Sequence, residues 1–322
     1  MITTTILLFL LSAAAAARRP RVVGWYDGVH PPVDQIPWDI YTHVRYGGPM
    51  INDSGQCFCN LTQMAPLVAA AHAHNASVLW APGIEFGDFR ANLPLHEMPP
   101  AELDERFNEE DFHANYWASI GRAQADCGVD GIEVDYEHGP NKWGVVTPAK
   151  ADAYTQWLAK LRQVTGKPVS ADISVWGVAP GNYVLGVLPW VNVTKLNEGA
   201  FDYVNTMSYH WNRDGDIWSW KKDLYFLLSV WKIDPSRVSL GVPYYSHPSS
   251  RTWGGLSTKC PNITADQNVC DGEVFVGEDM QFKIGRLAAS HDVGGLFPWA
   301  MSYDAFGDNK TLARSLAAGY IS

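Results

Sequence analysis

Asp130-Gly131-Ile132-Glu133-Val134-Asp135-Tyr136-Glu137 places three acids on alternate positions of a segment that otherwise reads as a buried strand. Alternate residues of a strand share a face. Glu133, Asp135 and Glu137 therefore point one way, and Ile132, Val134 and Tyr136 the other. A solvated edge strand of an antiparallel sheet would also carry one polar face. Here the opposite face is apolar and helical patterns lie before and after, which suits a parallel strand covered by helices. Clustered carboxylates are costly to desolvate, and isolated buried charges shift their pKa and neutralise. Three such acids in a row mark a site of chemistry.

Outward from this segment, short β-rich stretches alternate with helical patterns over nearly the whole chain. The predicted strands are Val22 to Asp27, Tyr41 to Gly47, Ser77 to Gly83, Gly131 to Glu137, Val169 to Trp176, Tyr203 to Tyr209, Val238 to Tyr244 and Gly294 to Ser302. Between them the spacing predicts helices over Gln63 to Ala73, Glu109 to Asp126, Thr147 to Val164, Trp218 to Trp231, Asp279 to Ser290 and Lys310 to Ala318. Such alternation is the sequence form of a parallel sheet with helical crossovers. Eight strands with interleaved helices close most simply as an α/β fold of the (β/α)8, or TIM-barrel, kind, and 322 residues suit one such domain. In this architecture chemistry sits at the C-terminal ends of the strands, where Glu137, Tyr209 and Trp299 stand. Ile51 to Asn60, Glu85 to Arg106 and Ser246 to Val276 read as long loops.

The chain resembles glycoside hydrolase family 18, the chitinase and chitobiase group. That family carries Asp-x-x-Asp-x-Asp-x-Glu on its fourth strand, and Asp130, Glu133, Asp135 and Glu137 occupy those positions. Further matches follow in family order: Met207-Ser208-Tyr209, Leu240-Gly241-Val242-Pro243-Tyr244-Tyr245, and Gly294-Gly295-Leu296-Phe297-Pro298-Trp299-Ala300. There are two departures. Glu133 stands where the family usually has Asp, and His210 follows Tyr209 where many members have Asp.

The resemblance implies hydrolysis of β-1,4 bonds beside N-acetylglucosamine with retention, the substrate's acetamide oxygen replacing an enzyme nucleophile. It implies Glu137 as general acid and then base, Asp135 as the group that orients the acetamide, and Glu133 and Asp130 as supporting acids. Tyr209 would donate to the acetamide oxygen, Trp299 would floor the sugar site, and Met207 and Tyr244 would join the substrate-binding set. Asp130, at the strand start, also reads as a structural turn residue. Trp25, Trp80, Trp176 and Trp211 lie in or beside predicted strands and are candidates for the cleft wall.

Chain-level features suit a secreted, glycosylated protein, with a lysosomal destination as the alternative. Met1 to Ala17 has an apolar run and an Ala-x-Ala ending, the form of a removed signal peptide, so the catalytic barrel is taken as residues 18–322. Six Asn-x-Ser/Thr triplets begin at Asn52, Asn60, Asn75, Asn192, Asn262 and Asn309. Five cysteines cannot all pair internally. Cys260 and Cys270 flank a polar loop and are the expected disulfide, Cys57 and Cys59 are open between local and distant partners, and Cys127 is expected as a buried thiol.

A net charge of −10 without a basic run after Arg21 argues against nucleic acid and anionic membrane as partners. The 14 Trp, more numerous than the 12 Phe, supply apolar faces on which sugar rings stack. No Gly-rich phosphate loop or Cys-x-x-Cys pair is present, and His72 and His74, at i, i+2, do not share a helix face. No metal and no cofactor is inferred. Three functions are carried forward: hydrolysis of chitin or chito-oligosaccharides, an endo-β-N-acetylglucosaminidase acting on N-glycans, and a chitin-binding lectin without catalysis. Only about fifty residues separate the seventh and eighth strands, too few for the usual helix and an α+β lid domain together.

Overall fold

The computed structural model describes residues 19–47, 50–52, 54–81, 110–135, 148–179, 182–185, 189–209, 216–306 and 311–322. Eight parallel strands close into a barrel: Arg21–Tyr26, His43–Gly47, Ser77–Ala81, Gly131–Asp135, Val169–Ile173, Tyr203–Thr206, Val238–Pro243 and Gly295–Trp299. Each pairs with its neighbours in chain order, and the first pairs with both the second and the eighth. All eight predicted strands are present. The predicted leader, residues 1–17, lies outside the described residues.

The alternation read from the sequence sets the two faces of each strand. Ile132, Val134, Val204, Leu240 and Val242 are fully or almost fully buried apolar residues, and they share the outward parity that helices cover. Burial of each such side chain contributes roughly 1.5–3 kcal/mol relative to exposure. Helices Leu61–Ala73, Glu110–Cys127, Pro148–Thr165, Trp218–Leu224, Glu278–Ser290 and Leu312–Ile321 lie where helical spacing placed them. Trp220 is fully buried, and its indole N–H donates to the backbone oxygen of Gly241, 2.8 Å away. Among the described residues no helix is long and apolar enough to cross a membrane.

Gly241 shows how closely the barrel wall is packed. A Cβ built there would sit 1.8 Å from the backbone oxygen of Thr206. Gly241→Ala is therefore expected to destabilise the fold by about 1–3 kcal/mol, the usual range for overpacking. A urea-unfolding midpoint equal to that of the wild type would contradict this reading.

Three local readings are corrected. The fifth strand ends at Ile173, and Trp176–Ala179 instead pairs antiparallel with Asn182–Leu185. The segment from Ser246 to Val276 is not all loop: helix Trp253–Lys259 is capped by Thr252, whose hydroxyl accepts from Gly255 N–H, and Val269–Cys270 pairs with Glu273–Val274. With helix Glu278–Ser290 this fills the connection between the seventh and eighth strands, so no α+β lid is inserted there. Cys127 is not a thiol but is bonded to Cys59. It ends helix Glu110–Cys127, Cys59 precedes helix Leu61–Ala73, and the packing of these helices brings the two Cα atoms to 5.4 Å, within disulfide reach. Cys260 pairs with Cys270 as expected, and Cys57 is a buried free thiol.

Candidate active site

Glu133 and Asp135 project into the barrel from the fourth strand, and Arg45 reaches them from the second. Arg45 Nε lies 3.2 Å from Glu133 Oε1, and a terminal guanidinium nitrogen lies 3.6 Å from Asp135 Oδ2. All three side chains are buried. From the fifth and sixth strands, Asp172 and Asn205 close the cluster. The Asn205 amide nitrogen donates to Glu133 Oε2 and to Asp172 Oδ1, each at 2.9 Å, and Ser170 Oγ donates to Glu133 Oε2 at 3.3 Å. Asp135 Oδ1 has no hydrogen-bond partner among the described residues.

Burial is the leading influence on all three acids. It raises Glu133 to about 7, with Arg45 opposing and the charge of Asp135 adding. It raises Asp135 against the pull of Arg45. Asp172 is pushed well above the carboxylate range by burial and then by the charges of Glu133 and Asp135. Of the three, Glu133 is brought to where a carboxyl exchanges protons near neutrality, and carboxyls shifted together in this way mark a candidate site of acid–base work.

An aromatic wall adjoins the acids. The rings of Trp25 and Trp299 are 4.9 Å apart, and Tyr209 stacks on Trp299 at 6.1 Å with an interplanar angle of 23°. The Arg45 guanidinium lies 5.6 Å from the Trp25 ring, joining wall to cluster. Trp25 and Trp299 are both partly exposed and offer a surface, whereas Tyr209 is buried. Met207 is buried just past the sixth strand, where its N–H donates to Ile173 O.

Other expected residues stand elsewhere. Asp130 is at the opposite, N-terminal end of the fourth strand, where it accepts from Val78 N–H at 2.8 Å and contacts His72 Nε2 at 2.9 Å. It pins that strand to the third and does not touch the acid cluster. Tyr244 is fully buried, with Tyr41 and Asp304 as its neighbours, and offers no surface to a substrate. Trp80 is fully buried with outward parity, beside inward Leu79, so it does not line the cleft. Glu137, His210 and Trp211 lie outside the described residues, as does the side chain of Trp176. Sequence reading missed Arg45, Asp172 and Asn205. The available signal was a polar residue at alternate positions of short predicted strands, as in His43-x-Arg45 and Ser170-x-Asp172. Among the described residues no group of three His, Cys, Asp or Glu side chains is placed to hold a metal ion.

No family model matches the chain, and no curated protein matches its sequence. Solved structures do match, and the fold they share with it is that of chitinases of glycoside hydrolase family 18. One from Flavobacterium johnsoniae superposes with a TM-score of 0.68 at 18% identity over 94% of each chain. One from Cycas revoluta, in complex with (GlcNAc)3, has a TM-score of 0.70 at 13% identity, covering 93% of this chain and 99% of that one. A Group IV chitinase from Ostrinia furnacalis in complex with allosamidin has a TM-score of 0.66 at 15% identity, over 92% and 97%. At these identities the likeness establishes the fold.

Proposed function

We propose that this chain hydrolyses β-1,4 bonds in chitin or chito-oligosaccharides by a retaining, substrate-assisted mechanism. The observation that carries the reading is the Oδ1 of buried Asp135, without a hydrogen-bond partner among the described residues, beside an aromatic wall in which Trp299 is partly exposed. A buried acceptor without a donor carries a desolvation cost that an incoming N–H removes. The acetamide N–H of a sugar stacked on Trp299 is such a donor. Accepting it turns the acetamide oxygen toward the anomeric carbon, and the charge on Asp135 stabilises the cationic ring that forms. Glu137, the next acid on the same strand parity, protonates the leaving oxygen and then activates water. Tyr209 holds the acetamide oxygen. The fold shared with chitinases crystallised with (GlcNAc)3 and allosamidin supports the same substrate class.

Chromatography of the products from chitotetraose tests this. The β-anomer is expected first, because retention follows from a nucleophile internal to the substrate. Initial α-products would remove the mechanism. Binding of the tetramer without cleavage would leave a lectin, and neither binding nor cleavage would turn the search to N-glycans.

A secretory route is part of the proposal. Two disulfides suit an oxidising compartment, and the sequon residues Asn52, Asn75 and Asn262 are exposed. Asn192 differs from these, since its side chain caps helix Val193–Asn197 and its amide donates to Asp152 Oδ1 at 2.8 Å.

A further inference from the structure

Three buried carboxyls share the barrel interior with one guanidinium. Arg45 forms ion pairs with Glu133 and Asp135. Asp172 has no ion-pair partner among the described residues, although it stands directly beside Asp135 as its register partner on the next strand. Paired strands run about 4.8 Å apart, so with both side chains inward the two carboxyls are close neighbours. If all three were ionised, the cluster would hold two uncompensated negative charges in a dry interior, where isolated ions neutralise instead.

We propose that Arg45 and Asp172 are positioning residues for the acid pair: Arg45 holds Asp135 as a carboxylate, and Asp172 carries the proton that the cluster requires. The inference rests on the proposed hydrolysis, in which Asp135 acts as an anion. Geometry assigns the proton to Asp172, because the cation engages the other two acids. The Asn205 amide nitrogen bridges Glu133 and Asp172, fixing both oxygens relative to one another whichever acid holds the proton. The charged and titratable groups facing Asp172 are Glu133 and Asp135 from the fourth strand, Arg45 from the second and Tyr203 from the sixth. Arg45 is the only cation in that set. Burial and the two neighbouring acids act on Asp172 in the same direction, toward the neutral form. Arg45 and Asp172 belong together on charge grounds. A fifth-strand acid placed beside two fourth-strand acids is tolerable only if it is neutral, and Asp135 stays ionised only if a cation faces it.

Two measurements on the full-length protein test this, one of them independent of activity. Difference infrared spectra at neutral pH, wild type minus Asp172→Asn, are expected to show the carbonyl stretch of one buried protonated carboxyl beyond the protonated Glu133 and Glu137 that both proteins share. Absence of that difference band overturns the assignment of the proton. The pH profile of kcat/KM on chitotetraose reads the other half. Arg45→Met is expected to raise the acidic limb by roughly 1–3 pH units, the usual effect of a close opposite charge on a carboxylate. Arg45→Lys, which folds with a cation in place, is expected to raise it less. Asp172→Asn leaves that limb where it is, because replacing a neutral acid takes no charge from beside Asp135. An unmoved limb in both Arg45 variants, or a downward shift in Asp172→Asn, overturns the proposal. A wild type that cuts no chito-oligosaccharide sinks the hydrolase reading instead, and the infrared result still decides where the proton sits.

Discussion

Glu137→Gln is expected to lower kcat on chitotetraose by about 10²–10⁴-fold, the range a positioned general acid contributes, with little change in binding. Glutamine matches glutamate in shape but has no proton to give the leaving oxygen and cannot activate water in the second step. Asp135→Asn is expected to fall in the same range for a different reason. Its Oδ1 still accepts a hydrogen bond, but the negative charge that stabilises a cationic intermediate is gone. The two variants separate in their pH dependence. Asp135→Asn also removes a charge that raises Glu133 and Asp172, so both of those acids shift down and the profile changes shape. Steady-state rates set beside calorimetric binding of the tetramer distinguish loss of chemistry from loss of affinity. A Glu137→Gln enzyme that retains its kcat would show that another group donates the proton.

How much of this site could be read beforehand follows from the period of a strand. Glu133 and Asp135 were legible because two acids on one parity, against Ile132 and Val134 on the other, have only one economical placement. The same rule, carried further, separates Asp130 from them, since it falls on the parity of Ile132. It also turns Tyr244 away from inward Ser239, Gly241 and Pro243, and Trp80 away from inward Leu79. The motif match set Asp130 and Tyr244 beside the acids, and strand alternation overrides it; Trp80 was a cleft candidate only as a Trp in a predicted strand.

Arg45, Asp172 and Asn205 were harder to find. Each becomes a partner only when the barrel closes and strands distant in sequence face one interior. His43-x-Arg45 and Ser170-x-Asp172-x-Ser174 did carry a polar alternation, but nothing local says that the two faces meet. The eight barrel strands were legible because each is a short apolar run bounded by turn residues. The helices Val193–Asn197 and Trp253–Lys259 were not, because five and seven residues span too little of the helical period to show a stripe. Their caps, Asn192 and Thr252, were the only local mark of either.

Removing the Cys59–Cys127 bond by a Cys59→Ser/Cys127→Ser double substitution is expected to cost about 4 kcal/mol of stability by the loop-entropy model. The closed loop has a sequence separation of 68 residues, so the unfolded chain regains much conformational freedom when the bond is lost. At an unfolding entropy of about 2.1 cal/mol/K per residue, that cost corresponds to a fall in Tm of roughly 6 °C. The Cys260–Cys270 bond spans a separation of only 10, and the same model gives it a smaller effect. The order of the two costs is therefore the sharper test, because native-state packing shifts either value alone. Serine pairs avoid stray thiols, and Cys57 does not rescue the loop. Burial pushes its thiol up to about 12, whereas the thiolate is the species that attacks a disulfide. Equal losses from the two pairs, or a larger one from Cys260–Cys270, would mean that the long staple does not act through the unfolded chain. The stabilisation would then lie in the packing of helix Leu61–Ala73 against helix Glu110–Cys127, and single core truncations at Met64 or Ile120, both fully buried, would be the larger lesions.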